Sequence, residues 1–210
     1  MELIRVDTKQ AYEQIRERIV ALALAPGIAI NPQALADDLG LGLTAVQEAL
    51  KLLVHDALIA VTPRHGLYVA DVTLADLEQL SEMRLALEAL SAKLAAQRAA
   101  ADDLAVLDAL CAAQKTTDAA ELFALDHKFH QAIAQAAHNK YLAQTLDRFF
   151  GLSQRLWVLA LPHLDFLPAA VGEHLNLAAA IREGDDGRAA QIMRHHVQDF
   201  YDKVRQILSD

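Results

Sequence analysis

NPQALADDLGLGLTAVQEALKLLVHDALIAVTPRHGLYVA, residues 31–70, holds two short helical patterns separated by glycine, followed by two apolar runs on either side of a turn. Asn31 followed by Pro32 is a helix start: a side-chain cap, then a proline at the first helical position. This helix runs from Pro32 to Leu39 and stops at Gly40. Gly42 opens a second helix through about His55, with Val46, Ala49, Leu50 and Leu53 spaced to form its inner face. LIAVT and LYVA then flank Pro63, Arg64, His65 and Gly66, the pattern of a β-hairpin with a four-residue turn. Upstream, Ala11, Ile15, Ile19 and Leu22 recur at helical spacing from Thr8 to about Leu24, where Pro26 and Gly27 end the run. Three short helices and a hairpin make a winged helix-turn-helix.

From Leu74 onward the pattern is wholly helical. Helices are expected near 74–100, 102–114, 118–137, 140–160, 170–184 and 186–208. The chain is therefore mainly α, with a winged helix-turn-helix over 1–72 and an all-helical bundle of six or seven helices over 73–210. At 210 residues and 54% apolar content there is ample material for both cores. The net charge is −9, and neither part is basic: residues 1–72 carry six Lys and Arg against nine Asp and Glu. That counts against loose, charge-driven binding to nucleic acid, though not against a small local patch. The single cysteine, Cys111, makes no internal disulfide and reads as a small buried hydrophobe. No signal-peptide pattern or spanning run is present, so a cytoplasmic protein without a membrane partner is expected.

Within the helical part, Asp126 and His130 are four residues apart in LDHKFHQAIAQAAH (125–138) and share a helix face. His174 and His196 lie in two later helical segments. One carboxylate and three imidazoles from three helices form a ligand set for a divalent ion, with zinc or nickel ahead of iron or copper. His127 and His195 adjoin these positions and are alternates, each rotated by roughly 100° from its neighbour on the helix.

The order of I-x3-I at Ile15 and Ile19, Pro26-Gly27, Leu35-Ala36, Leu39-Gly40, V-x-E-A-L at Val46 to Leu50, Leu53, Leu58 and R-x-G at Arg64 to Gly66 resembles the DNA-binding domain of the GntR family of bacterial transcription regulators. The likeness spans nearly all of residues 8–70. It implies that the helix opened by Gly42 enters DNA and that Arg64, His65 and Gly66 form the wing. Two departures stand out: Leu43 and Gln47 occupy positions where the family places arginines. Thr44, Gln47 and Lys51 remain for groove contact, where glutamine can read adenine and threonine a thymine methyl or a phosphate. The alternative is that these side chains are solvated surface and that the domain has lost DNA binding, because charge-driven affinity is weak without those arginines.

The second part resembles the FCD domain of the FadR subfamily through Arg84 with Leu87 and Glu88, D-x-x-F-H at Asp126 to His130, Asn139, Glu173-His174, A-I-x-x-G-D at Ala180 to Asp185, and A-x3-M-x-x-H at Ala189 to His196. The resemblance implies a metal held by Asp126, His130, His174 and His196, with two remaining positions for a chelating small organic acid. Arg84 is a candidate carboxylate clamp for that effector, or else pairs with Glu88. Asn139 and Arg155 are further effector candidates. Glu173 is a helix-surface charge or, alternatively, a hydrogen-bond partner of a ligand histidine.

These features point to a ligand-responsive transcription regulator, a repressor in the simplest form, that binds an inverted repeat as a homodimer. The rival from another class is an enzyme in which the metal activates water. Against it, no Glu, Lys or Tyr stands out as a partnered general base, and the N-terminal half would go unexplained. A sensor that has lost DNA binding and acts through a protein partner is the other alternative.

Overall fold

The computed structural model describes residues 2–63, 66–113, 119–160 and 167–209. The chain forms two compact units, Met1–Thr73 with Gln154–Val158, and Leu74–Ser153 with Leu159–Asp210.

In the first unit, α1 spans Glu2–Val20, α2 Pro32–Leu39 and α3 Leu43–His55, followed by strands β1 (Ile59–Thr62) and β2 (Gly66–Val69). α1 buries Ala11, Ile15 and Ile19, and α3 buries Ala45, Val46, Ala49, Leu50 and Leu53. α1 ends four residues sooner than its apolar spacing suggests. Leu22 turns into the left-handed region at φ 59°, and the Leu24 amide closes on the Arg18 carbonyl at 3.0 Å, which ends the ladder before Pro26 is reached. α2 is capped as its sequence requires: Asn31 Oδ1 accepts from the amides of Gln33 at 3.0 Å and Ala34 at 3.2 Å. Gly40, at φ 67°, supplies the left-handed turn after α2, and the Leu41 amide returns to the Ala36 carbonyl at 3.0 Å. Asn31→Ala leaves two amides without their acceptor and is expected to lower stability by about 1 kcal/mol, a loss measurable by urea unfolding.

The strands pair antiparallel from Ile59↔Val69 to Thr62↔Gly66. Gly66 thus belongs to the second strand, where its φ of 70° is easy only for glycine, and three residues rather than four connect the strands. A further pairing had no clear sequence signal. Residues 27–30 lie along β2, with the Ile30 amide on the Leu67 carbonyl at 2.8 Å and the Val69 amide on the Ile28 carbonyl at 2.9 Å. The Pro26-Gly27 turn does more than end α1; it delivers a third extended segment to the wing.

The second unit contains α4 (Leu74–Arg98), α5 (Ala101–Ala113), α6 (Ala119–Ala136), α7 (Lys140–Ala160) apart from its Gln154–Val158 stretch, α8 (Leu167–Glu183) and α9 (Asp186–Ser209). The expected breaks at 116–118 and 162–166 lie outside the described residues. α8 starts three residues sooner than expected, with Pro168 in its first turn, where a missing amide hydrogen costs no helical bond. Long helices α4 and α9 pack along each other, and α8 packs on both, as well as on α5 and α6. Phe129, Ile133, Ala180, Met193 and Val204 are completely buried in this bundle. Among the described residues, no helix is long and apolar enough to cross a membrane.

Candidate metal centre and DNA-facing helix

Asp126 and His130, four apart on α6, project to the same side, where His174 of α8 and His196 of α9 meet them. All four are buried, none more than 8% exposed. Asp126 Oδ1 lies 3.7 Å from His130 Nε2, 3.2 Å from His174 Nε2 and 3.7 Å from His196 Nε2. His196 Nε2 lies 3.2 Å from His130 Nε2 and 3.3 Å from His174 Nε2. Ligands about 2.1 Å from one ion stand roughly 3.0 Å apart at right angles and roughly 3.4 Å apart in a tetrahedron. Three of the observed spacings, at 3.2–3.3 Å, fall in that range, and the two at 3.7 Å lie slightly beyond it.

Hydrogen bonds on the far side of the rings strengthen the case. Nδ1 of His130 donates to Glu88 of α4, and Nδ1 of His196 to Glu173 at 2.8 Å. A carboxylate at Nδ1 keeps the proton there and turns the Nε2 lone pair inward, as in metal sites. Neutral imidazoles held this way aim lone pairs at one another across little more than 3 Å, an arrangement that needs a cation or a proton between them. The donor set fits a borderline divalent ion. The His174 ring is held by stacking on Phe129, centroids 4.3 Å apart.

Charges within the cluster are strongly coupled. Burial opposes ionisation of Asp126, but the surrounding imidazoles outweigh it and hold its carboxyl well below the usual range. Burial also disfavours the His196 cation, yet the Asp126 and Glu173 carboxylates raise its pKa to about 9. His174 goes the other way, because burial outweighs the pull of Asp126. Ion-free, the cluster thus takes a proton at His196, and a metal would displace it.

Behind His130 lies a second buried array. Glu88 accepts from Arg84 Nε at 2.6 Å and from Arg84 Nη2. Arg84 sits 4.6 Å from the centre of the Phe150 ring, and its Nη1 donates to the Tyr201 hydroxyl at 3.4 Å. Ser153 Oγ joins the same hydroxyl at 2.8 Å. Burial penalises the Glu88 charge, but Arg84 and His130 hold its pKa down to about 2. Of the two roles open for Arg84, the structure displays the internal pair. Sequence reading named Glu88 only as a possible partner of Arg84 and missed its bond to His130. Its signal lay in its place: Leu77, Arg84, Glu88, Ala92 and Ala95 form one buried stripe of α4, so the charged pair stands where a core residue belongs.

The other candidates lie elsewhere. His127 stacks on Phe150 at 4.0 Å, and the His195 side chain is 74% exposed, with Nδ1 3.4 Å from Glu173. Asn139 Oδ1 accepts from the Leu142 amide at 3.2 Å and so caps α7. Arg155 groups with the first unit and donates from Nη1 to the Ala70 carbonyl at 2.7 Å. A cavity of about 310 Å³ has His130, Glu88 and Phe150 in its wall together with Lys140, Gln144 and Asp147.

On α3, Thr44, Gln47 and Lys51 are all exposed, on the face opposite Val46, Ala49, Leu50 and Leu53. Lys51 Nζ is 2.6 Å from Glu48 Oε1. Gly42 caps the helix without a side-chain acceptor. Gly66 is exposed at the start of β2, and Arg64 and His65 lie outside the described residues.

Comparison with known proteins agrees with this architecture. Residues 7–69 match the bacterial regulatory proteins of the gntR family, and residues 79–199 match the FCD domain. An HTH-type transcriptional regulator in an unstable DNA locus of Streptomyces ambofaciens is 30% identical over 97% of this chain and 87% of its own. The HTH-type transcriptional repressor RspR of Escherichia coli is 25% identical over 95% of this chain and 89% of its own. The solved structure of E. coli McbR/YncC superposes with a TM-score of 0.82 at 22% identity, covering 95% of this chain and 97% of that one. With a helix-turn-helix domain followed by an FCD domain along nearly its whole length, the chain belongs to the GntR family of bacterial transcription regulators.

Proposed function

We propose that this regulator is a cytoplasmic homodimer that binds an inverted-repeat operator through α3 and the wing, and that it senses a small carboxylic acid at a divalent ion held by Asp126, His130, His174 and His196. The observation that carries the sensing role is the convergence of four buried donors from three helices, two of them backed by carboxylates. A bound ion would supply Lewis-acid positions that a carboxylate with a neighbouring hydroxyl or oxo group can fill, so an acidic chain gains a way to hold an anion. The protein's part is to fix the donors, keep them dry and bring the effector's free energy to bear on one arrangement of the chain over another. Effector and DNA are then linked reciprocally: an acid that weakens operator binding is itself bound less tightly by the operator complex. The sign of regulation is taken as repression, and the site as one of sensing rather than catalysis.

A second reading is kept by the helix itself. α3 has no arginine, and its one lysine is paired with Glu48, the composition of a domain retired from DNA and working through a protein partner. The test is anisotropy of labelled DNA from upstream of the gene, at moderate salt with nonspecific competitor. Saturable binding, released by a hydroxy or oxo acid only when metal is present, is the expected result. An acid that binds the metal-loaded protein yet leaves DNA affinity unchanged would contradict the regulatory mechanism.

A further inference from the structure

On α3, the exposed stripe is short and chemically sparse. Thr44, Gln47 and Lys51 follow one another at i, i+3 and i+7, so they line one side of the helix. At 1.5 Å per residue they span about 10 Å, roughly three base-pair steps of 3.4 Å, with Gln47 in the middle. Lys51 is drawn back to Glu48, which partly neutralises both. Thr44 offers one hydroxyl and one methyl. Gln47 is thus the side chain on this face that presents a donor and an acceptor side by side, and its carboxamide matches the N7 acceptor and N6 amino donor of adenine in the major groove. Guanine, with acceptors at both N7 and O6, leaves the glutamine carbonyl facing another oxygen.

We infer that Gln47 is the principal base-reading residue of this protein and that it selects adenine at the centre of each operator half-site. The inference rests on the proposed DNA binding and adds the base that is read. Because the surrounding stripe carries little net positive charge, phosphate attraction contributes little discrimination-free affinity, and the choice of base weighs more in the total.

The experiment uses the full-length chain and a library of randomised duplexes. Bound fragments are selected and sequenced, and the chosen duplex is then remeasured by anisotropy. At the contacted adenine, guanine or 7-deazaadenine is expected to weaken binding by about 5- to 150-fold, the worth of one bidentate base contact. Gln47→Ala should erase that difference between bases, and Gln47→Arg should move the preference to guanine at the same position. Gln47 is exposed, so both variants are expected to melt at the wild-type temperature, which a thermal scan checks. A sequence-selective wild type whose base preference survives in Gln47→Ala overturns the inference while leaving DNA binding in place. A folded protein that selects no sequence overturns both.

Discussion

Glu88→Gln is expected to destabilise the second unit by about 3–5 kcal/mol, because it leaves the Arg84 guanidinium buried without its counter-charge. Both residues are almost inaccessible, 2% for Arg84 and 3% for Glu88, so water cannot replace the lost partner. Retreat is not open to Arg84 either, since Phe150 and Tyr201 pack on its guanidinium and burial makes a free cation costly. The second consequence falls on His130. Without the carboxylate at Nδ1, the imidazole loses both its orienting bond and part of its basicity, and metal affinity should fall by about 10- to 100-fold. Calorimetric melting and metal titration separate these effects, because the first persists in chelator and the second does not.

Acid titration in chelator adds a signed check on the same residue. Glu88 has its pKa held down to about 2 in the folded chain against about 4.3 for an unperturbed glutamate. A carboxylate depressed in this way contributes stability that is present above the unfolded value and disappears as pH falls through the folded one. Wild-type stability should therefore decline between about pH 5 and pH 2. The Glu88→Gln variant, weaker at neutral pH, should show a shallower decline across that window.

The other large effect is expected at Asp126. Asp126→Asn keeps the shape of the side chain but removes the charge that offsets the ion, and metal affinity should drop by more than the 10- to 100-fold expected of outer hydrogen-bond partners. Metal bound at 100 times its dissociation constant stabilises a fold by about 2.7 kcal/mol, equivalent to about 5–10 °C in melting temperature for a chain of this length. Wild type should show that upshift when zinc or nickel is added to chelator-stripped protein. The Asp126→Asn variant should show almost none at the same concentration, each protein being compared with its own stripped baseline. An equal upshift in both would mean that the stabilising ion sits elsewhere.

How much of this could be read from the chain depends on the range of the interactions. Local signals carried well: Asn31-Pro32 marks the start of α2, Gly40 its end, and the apolar spacing of Val46 to Leu53 the inner face of α3. The i, i+4 pair on α6 was equally legible, because helix geometry alone puts Asp126 beside His130. Apart from His174 and His196, which the sequence and its FCD resemblance set beside that pair, features that depend on distant partners were not. The pairing of residues 27–30 with β2 joins segments some 40 positions apart, and nothing in PGIAI distinguishes it from a loop. Glu88 illustrates the same limit: an Arg-x-x-x-Glu pair looks like an ordinary exposed helix pair until the tertiary fold buries it and brings His130, 42 residues on, to its free oxygen. Glu173 was legible only as an alternative, since choosing between solvent and His196 requires knowing how α8 faces α9.

The most direct measurement of the central claim is metal content with ligand spectroscopy on protein purified without metal-affinity resin. One divalent ion per chain is expected after loading with zinc and desalting, with an X-ray absorption signature of about three imidazoles and oxygen ligands, and with the ion lost from Asp126→Asn and from His174→Ala. Folded wild-type protein that retains no ion, or an ion that stays bound in both variants, would contradict it.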